Sequence, residues 1–182
     1  RIFVYDQVAV CEQVLNSDLL RKANPRIVNT QMQRNLAFLP FHHIFGFMVC
    51  VMWCNFGGYE TVYIKDRAPE TILGAMRRFK VNFLCAVPVL ANSLSNGLNK
   101  KVAQQKPLRR FAFRLMKYLS LGLQSVAPRF GMDFSRKVLF KSVNAQLLGP
   151  DVNVIILGGS HTPREHMRNI AALGYYTICG FG

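Results

Sequence analysis

Acidic residues are scarce in this sequence. Nine Asp and Glu stand against 23 Lys and Arg, for a formal charge of +14. There is no initiator Met. There is also no basic segment leading into an apolar run and a small-residue cleavage site, so no secretory signal is legible. Paired cysteines are lacking too. The five (Cys11, Cys50, Cys54, Cys85 and Cys179) are odd in number and lie mostly inside apolar runs, which argues against a disulfide framework and for a reducing compartment. Cys50 and Cys54 are spaced to share a helix face, but the nearby sequence offers only His42 and His43 as further ligands. Small buried hydrophobes are the favoured reading. A membrane span is not expected either. Asn35 to Tyr59 carries no formal charge, yet Pro40, His42 and His43 interrupt it. The remaining apolar core, Ile44 to Cys54, suits a buried helix and is too short for a bilayer. Repeats and low-complexity tracts are absent.

What is present is a core-rich composition: 51% hydrophobic, 12% aromatic and 18% charged over 182 residues. That excludes a disordered chain and allows one good core. With its start at Arg1 and its stop at Phe181-Gly182, the sequence reads as cut at both ends. The expectation is a fragment of a larger intracellular protein, residues 1–182 forming one partial domain.

Helical spacing runs through Cys11–Ala23 and ends at Asn24-Pro25. RNLAFLP (Arg34–Pro40) reads as a buried strand, Ile44–Phe56 as an apolar helix stopped by Gly57-Gly58, and YETVYI (Tyr59–Ile64) as a strand. Asp66–Lys80 is the clearest helix, with Pro69 and Glu70 in its first turn and Ile72, Leu73, Met76 and Phe79 on one face. NFLCAV (Asn82–Val87) is a strand broken by Pro88. Several helices follow over Val89–Lys141, separated by Pro107, by Ala127-Pro128 and by Gly131. VNVIIL (Val152–Leu157) is a strand, Pro163–Leu173 a helix capped by Thr162, and Tyr175–Cys179 a last strand. Nearly continuous apolar strands alternating with helices predict an α/β fold. Its mainly parallel sheet is covered on both faces, with a helical insertion at about 89–149. Ligands then bind beyond the carboxyl ends of the strands. Three strands end there in LPFHHIFG (Leu39–Gly46), LGGSHTPRE (Leu157–Glu165) and CGFG (Cys179–Gly182).

Each motif alone has a bland explanation. Two glycines and a serine make an ordinary tight turn, glycines around an aromatic do the same, and a His at a strand-to-helix junction is more often structural than catalytic. In this order, with FKVNFLCAVPVL (Phe79–Leu90) between the first and second, they resemble the AMP-binding domain of acyl-activating enzymes. The likeness is strongest to long-chain acyl-CoA and acyl-carrier-protein synthetases, whose blocks read LP-x-FH-x-x-G, SGGAPL and GYGMTE. FSRKVLFKSVNAQLLG (Phe134–Gly149) looks like the insertion of the long-chain branch, and the resemblance extends over Leu36–Gly182.

That resemblance implies a site. Gly158, Gly159 and Ser160 match the turn lining the adenine and ribose pocket, and Gly180, Phe181 and Gly182 match GYG, with Phe181 against the adenine. His43 matches the motif His near the acyl carboxylate, and the helix Ile44–Phe56 would flank the acyl pocket. ATP or AMP and Mg²⁺ are the implied cofactors of the full-length enzyme. Its substrate would be a fatty acid, passed as acyl-adenylate to CoA or an acyl carrier protein. The family's glycine-rich phosphate loop has no match, since RIFVYDQ (Arg1–Gln7) stands in its place. No complete catalytic set and no metal ligand set is expected within this chain, which by itself should be inactive.

Lys100–Lys141 holds eleven Lys and Arg against Asp133 alone, a local net charge of +10. Arg110, Arg114 and Lys117 fall on one helix face opposite Leu108, Ala112, Leu115 and Leu119, so the basic trio is expected to be exposed and the apolar set buried. A solvated face is the simplest reading. The functional alternative is an inactive basic module for anionic partners: carrier protein, CoA phosphates or an anionic membrane surface. Nucleic acid is the runner-up from another class; it requires exposed aromatics among the basic residues, and Phe111, Phe113 and Tyr118 are as easily core. The expected location is the cytoplasm, with peripheral membrane contact as a variant.

Overall fold

A computed structural model describes residues 4–23 and 33–180. In chain order the elements are α1 (Gln7–Ala23), β1 (Arg34–Ala37) and α2 (Ile44–Phe47), which continues through a π-helical turn (Met48–Trp53) into α3 (Cys54–Phe56). Then come β2 (Glu60–Tyr63), α4 (Pro69–Arg78), β3 (Phe83–Ala86), α5 (Pro88–Ala103), α6 (Pro107–Val126) and α7 (Pro128–Phe134). A second π-helical segment (Ser135–Leu139) leads to α8 (Lys141–Leu147), followed by β4 (Val154–Leu157), α9 (Arg164–Ala172) and β5 (Tyr176–Cys179). Helices α4, α5, α6 and α7 all open on a proline, whose fixed φ suits the first turn and whose missing N–H is no loss there.

The five strands form one parallel sheet in the order β2-β1-β3-β4-β5. The side-chain alternation divides the core in two. Leu36, Leu84, Ala86, Ile155 and Leu157 face α4, α5, α8 and α9, whereas Ala37, Phe83, Cys85 and Val154 face α1 and the π-helical turn. Both sheet faces are thus covered, as the apolar continuity of the strands predicts. Register at the sheet's start is held by polar groups. Asn82 Oδ1 accepts from the N–H of Gln33 and of Arg34, at 3.1 and 3.0 Å, and Arg34 pairs with Glu60 directly across β1 and β2.

The topology contains a switch. The connection leaving β1 turns to β2 through α2 on one face, while that leaving β3 turns the other way through α5 on the opposite face. The carboxyl ends of β1 and β3 therefore flank the crevice in which ligands bind in open α/β sheets.

Three local expectations are corrected. Gly131 does not separate helices; it lies inside α7, where a Cβ would come 2.5 Å from Gln124 N, so its bareness lets α7 fold against α6. Thr162 does not cap α9, whose N-cap is Pro163; it is buried, and Cys179 Sγ lies 3.9 Å from its hydroxyl. The third correction concerns α6, which is turned over relative to its apolar periodicity. Leu108, Leu115 and Leu119 are exposed, and Phe113, Met116 and Ser120 face the core. Arg110 and Arg114 are exposed, but Lys117 is half-buried and donates to Asn169 Oδ1.

The reason for the turnover is polar. Helix α9 ends against α6, and its last carbonyls must be satisfied. Ser120 Oγ donates to Ala172 O at 2.6 Å, Gln124 Nε2 to Ala171 O at 3.0 Å, and Asn144 Nδ2 to Leu173 O at 2.9 Å. Asn169 Nδ2 donates to Ser95 Oγ at 2.8 Å, tying α9 to α5. Desolvation, with Arg168 adding repulsion, lowers the Lys117 pKa. A small cavity lined by Leu98, Phe113, Lys117, Phe140, Asn169 and Leu173 sits in this region, near the amino end of β5 and away from the strand ends that carry the motifs.

Candidate functional site

The motif-bearing segments leave the same edge of the sheet. In a parallel sheet all carboxyl ends point one way, and β4 pairs with β5 as far as Leu157↔Cys179. Gly158 and Gly180 consequently leave neighbouring strands side by side, and Gly180 N donates to Leu157 O at 2.7 Å. Gly159 adopts φ +89, the left-handed region that suits glycine, and it is exposed together with Ser160 and Gly180. Phe181 and Gly182 lie outside the described residues.

The β1 end supplies the other wall. After Leu39 and Pro40 the chain turns, and His43 becomes the N-cap of α2: its Nδ1 accepts from Phe45 N at 3.2 Å. With Nδ1 engaged as an acceptor, Nε2 is the ring nitrogen available to donate, since the ring is exposed. The first turn of α2 then passes close over Pro40. A Cβ on Gly46 would come 2.3 Å from Pro40 O, so this motif position tolerates no side chain.

Sequence reasoning missed Phe45. Its ring occupies the space above Gly158, where a Cβ would come 2.5 Å from Phe45 Cε2, and it also borders Gly159 together with Val87. One aromatic side chain thereby joins the ends of β1, β3 and β4. The available signal was the pair of glycines itself, since bareness there implies a bulky neighbour.

The π-helical turn follows directly after α2. Such turns recur near functional sites because they re-aim side chains within a helix. Its inner side is packed, with Cys50, Cys54 and Trp53 buried, and Trp53 meets Tyr59 and Phe83 at ring-centroid distances of 5.3 and 6.1 Å. Burial pushes the Cys54 thiol up to about 12 and those of Cys50 and Cys85 upward as well, so these are packing thiols held neutral. Among the described residues no group of His, Cys, Asp or Glu could hold a metal ion.

The AMP-binding enzyme model matches residues 8–182. Among solved structures the chain is similar to the luciferase-like enzyme of the nonluminescent mealworm Zophobas morio, at 12% identity and TM-score 0.51, covering 96% of this chain and 29% of that one. It is similar also to the N-terminal domain of FACL13 from Mycobacterium tuberculosis, at 17% identity and TM-score 0.48, over 82% of this chain and 27% of that one. A third is the O-succinylbenzoate coenzyme A synthetase (MenE) of Bacillus subtilis in complex with ATP and magnesium ion, at 15% identity and TM-score 0.49, over 92% and 25%. At such identities the likeness concerns the fold. The chain spans between 25% and 29% of these three structures. No curated protein matches it. With a family match running from Val8 to the last residue, this chain belongs to the AMP-binding enzyme family.

Proposed function

We propose that this chain forms the adenine-facing and carboxylate-facing walls of a cytoplasmic ligase that activates a fatty acid as its acyl-adenylate and passes the acyl group to a thiol, CoA or an acyl carrier protein. The observation that carries the reading is the contact of Phe45 with Gly158. It makes one surface of the segment that would hold the carboxylate and the turn that would hold the adenine.

In this reading the peptide planes of Gly158, Gly159 and Ser160 and those from Gly180 onward lie against the purine ring, with Phe181 as its aromatic partner. Bare glycines let a flat ring approach the backbone closely. His43 Nε2–H donates to the acyl carboxylate and orients one oxygen for attack on the α-phosphate of ATP. The apolar helix beginning at Ile44 borders the acyl chain, and its exposed Ile44 and Phe47 are the side chains available for it. These groups bind and orient, which accelerates a bimolecular step by removing its entropic cost.

Neutralising the charge that develops at the phosphate requires positioned cations and donors. Among the described residues no three or more His, Cys, Asp or Glu are grouped as a metal ligand set, and no step is routed through Mg²⁺ here. The 182-residue chain alone is therefore proposed to bind ATP weakly and to release no pyrophosphate.

The test is fatty-acid-dependent ATP–pyrophosphate exchange by the longer enzyme that contains this chain, with His43→Gln as the diagnostic variant. The reading expects exchange with fatty acids, weakened by about 10²-fold or more in H43Q when positioning fails. Absence of exchange with every carboxylate tried would remove the reading, and so would full activity of H43Q for the role given to His43.

A further inference from the structure

The turned-over helix α6 leaves an apolar stripe facing away from its own core. Leu108, Phe111 and Tyr118 are 78, 65 and 72% exposed, and Leu115 and Leu119 continue the stripe at helical spacing. The opposite side, through Phe113, Met116 and Ser120, is the one that packs. Arg110 and Arg114 run along the flank of the stripe and are exposed, as are Lys100, Lys101 and Lys106 just before the helix. No Asp or Glu occurs from residue 71 to residue 132. Helix α6 has 20 residues, a length of roughly 30 Å.

A partner for this surface must be apolar along a line and anionic along its edge. Nucleic acid supplies the anion and stacks on aromatics, but it offers nothing to Leu108, Leu115 and Leu119. A second copy of the chain would bring a second basic rim against the first. An anionic bilayer surface meets both requirements: aliphatic and aromatic side chains enter the acyl boundary, the Tyr118 phenol stays at headgroup level, and the arginines meet the lipid charge. Among the described residues no helix is long and apolar enough to cross a membrane. The helix would lie in the interface.

We propose that α6 docks this protein on anionic lipid bilayers, lying in the membrane plane with Leu108, Phe111, Leu115, Tyr118 and Leu119 inserted and Arg110 and Arg114 on the headgroups. The proposal does not depend on the adenylation reading, because α6 holds none of the residues assigned to that site.

The experiment is co-sedimentation of the full chain with vesicles of phosphatidylcholine alone and of phosphatidylcholine containing phosphatidylserine. Binding should require phosphatidylserine and weaken with added salt. R110E/R114E should bind at least roughly twenty-five-fold more weakly, on about fivefold per basic side chain lost at an anionic surface, and R110K/R114K should restore binding. F111S/L115S should bind at least about tenfold more weakly, from the lost apolar burial. Circular dichroism confirms that each variant is folded. Y118W provides a second readout, with its emission shifting blue on phosphatidylserine vesicles and unchanged on phosphatidylcholine. Equal binding to both vesicles, no binding to either, preference for single-stranded DNA over vesicles, or a stable oligomer that buries the stripe would each overturn the proposal.

Discussion

The ring of Phe45 lies over Gly158 so closely that a Cβ there would come 2.5 Å from Phe45 Cε2. This contact ties the strand-to-helix turn after β1 to the glycine turn after β4, two segments more than a hundred residues apart in sequence.

A first prediction tests that contact. Gly158→Ala should destabilise the protein by about 1–3 kcal/mol, the usual range for overpacking. Combining it with Phe45→Leu should cost less than the two changes added, by at least about 0.5 kcal/mol, because the smaller side chain relieves the clash. Urea unfolding of the four proteins measures this, and strict additivity would show that the two residues do not touch.

A second prediction separates glycines that the fold requires from those it merely tolerates. A Cβ on Gly46 would meet the Pro40 carbonyl at 2.3 Å, and backbone cannot swing aside as a side chain can. Gly46→Ala should therefore cost roughly 1–3 kcal/mol. Gly74 lies inside α4 with nothing within 4 Å of its Cβ position. Gly74→Ala should stabilise by about 0.5–1 kcal/mol, from backbone entropy and helix propensity. Opposite shifts in thermal midpoint are the expected result.

The strands and their order of appearance were legible in the sequence because each is a short apolar run, and the helix starts because Pro69, Pro88, Pro107 and Pro128 mark them. The facing of α6 was not. Hydropathy assigns Leu108, Ala112, Leu115 and Leu119 to the core, but the side chosen by the fold is the one carrying Ser120 and Gln124, which satisfy the end of α9, and Lys117, which donates to the Asn169 side chain. Such carbonyls are tertiary partners and leave no periodic trace in sequence. At the candidate site, Gly158, Gly159, Ser160, Gly180 and His43 stood out as motif members, and the structure brings their segments to one edge. Phe45 did not stand out, since nothing local distinguishes it from Phe41 or Phe47; only its opposition to Gly158 does. The π-helical turn at Met48–Trp53 looks like plain helix in sequence, because its single-turn register change preserves the apolar run.

The cysteines give a third prediction. Cys11 and Cys179 are exposed, and Cys50, Cys54 and Cys85 are buried. A thiol reagent should modify two groups quickly in the native protein and the other three only on unfolding. Burial raises the pKa of all three buried thiols, with Cys54 at about 12. Their contribution to stability is present in full below the unfolded value near 9.0 and is lost as pH rises towards about 12, because the unfolded thiols ionise first. Stability measured across pH 8 to 11 should fall, and less steeply in a variant with Cys54→Ala; an unchanged slope would contradict the burial of that thiol.

The most direct test of the nucleotide surface is an AMP titration of the isotopically labelled chain followed by amide chemical shifts. The account predicts that the amides of Gly158, Gly159, Ser160 and Gly180 shift together at millimolar AMP, with His43 and Phe45 following through the shared contact, while those of α6 stay in place. Shifts confined to the basic segment around Arg110 and Arg114, or no shift at the two glycine turns, would show that the carboxyl edge of this sheet is not where the adenine binds.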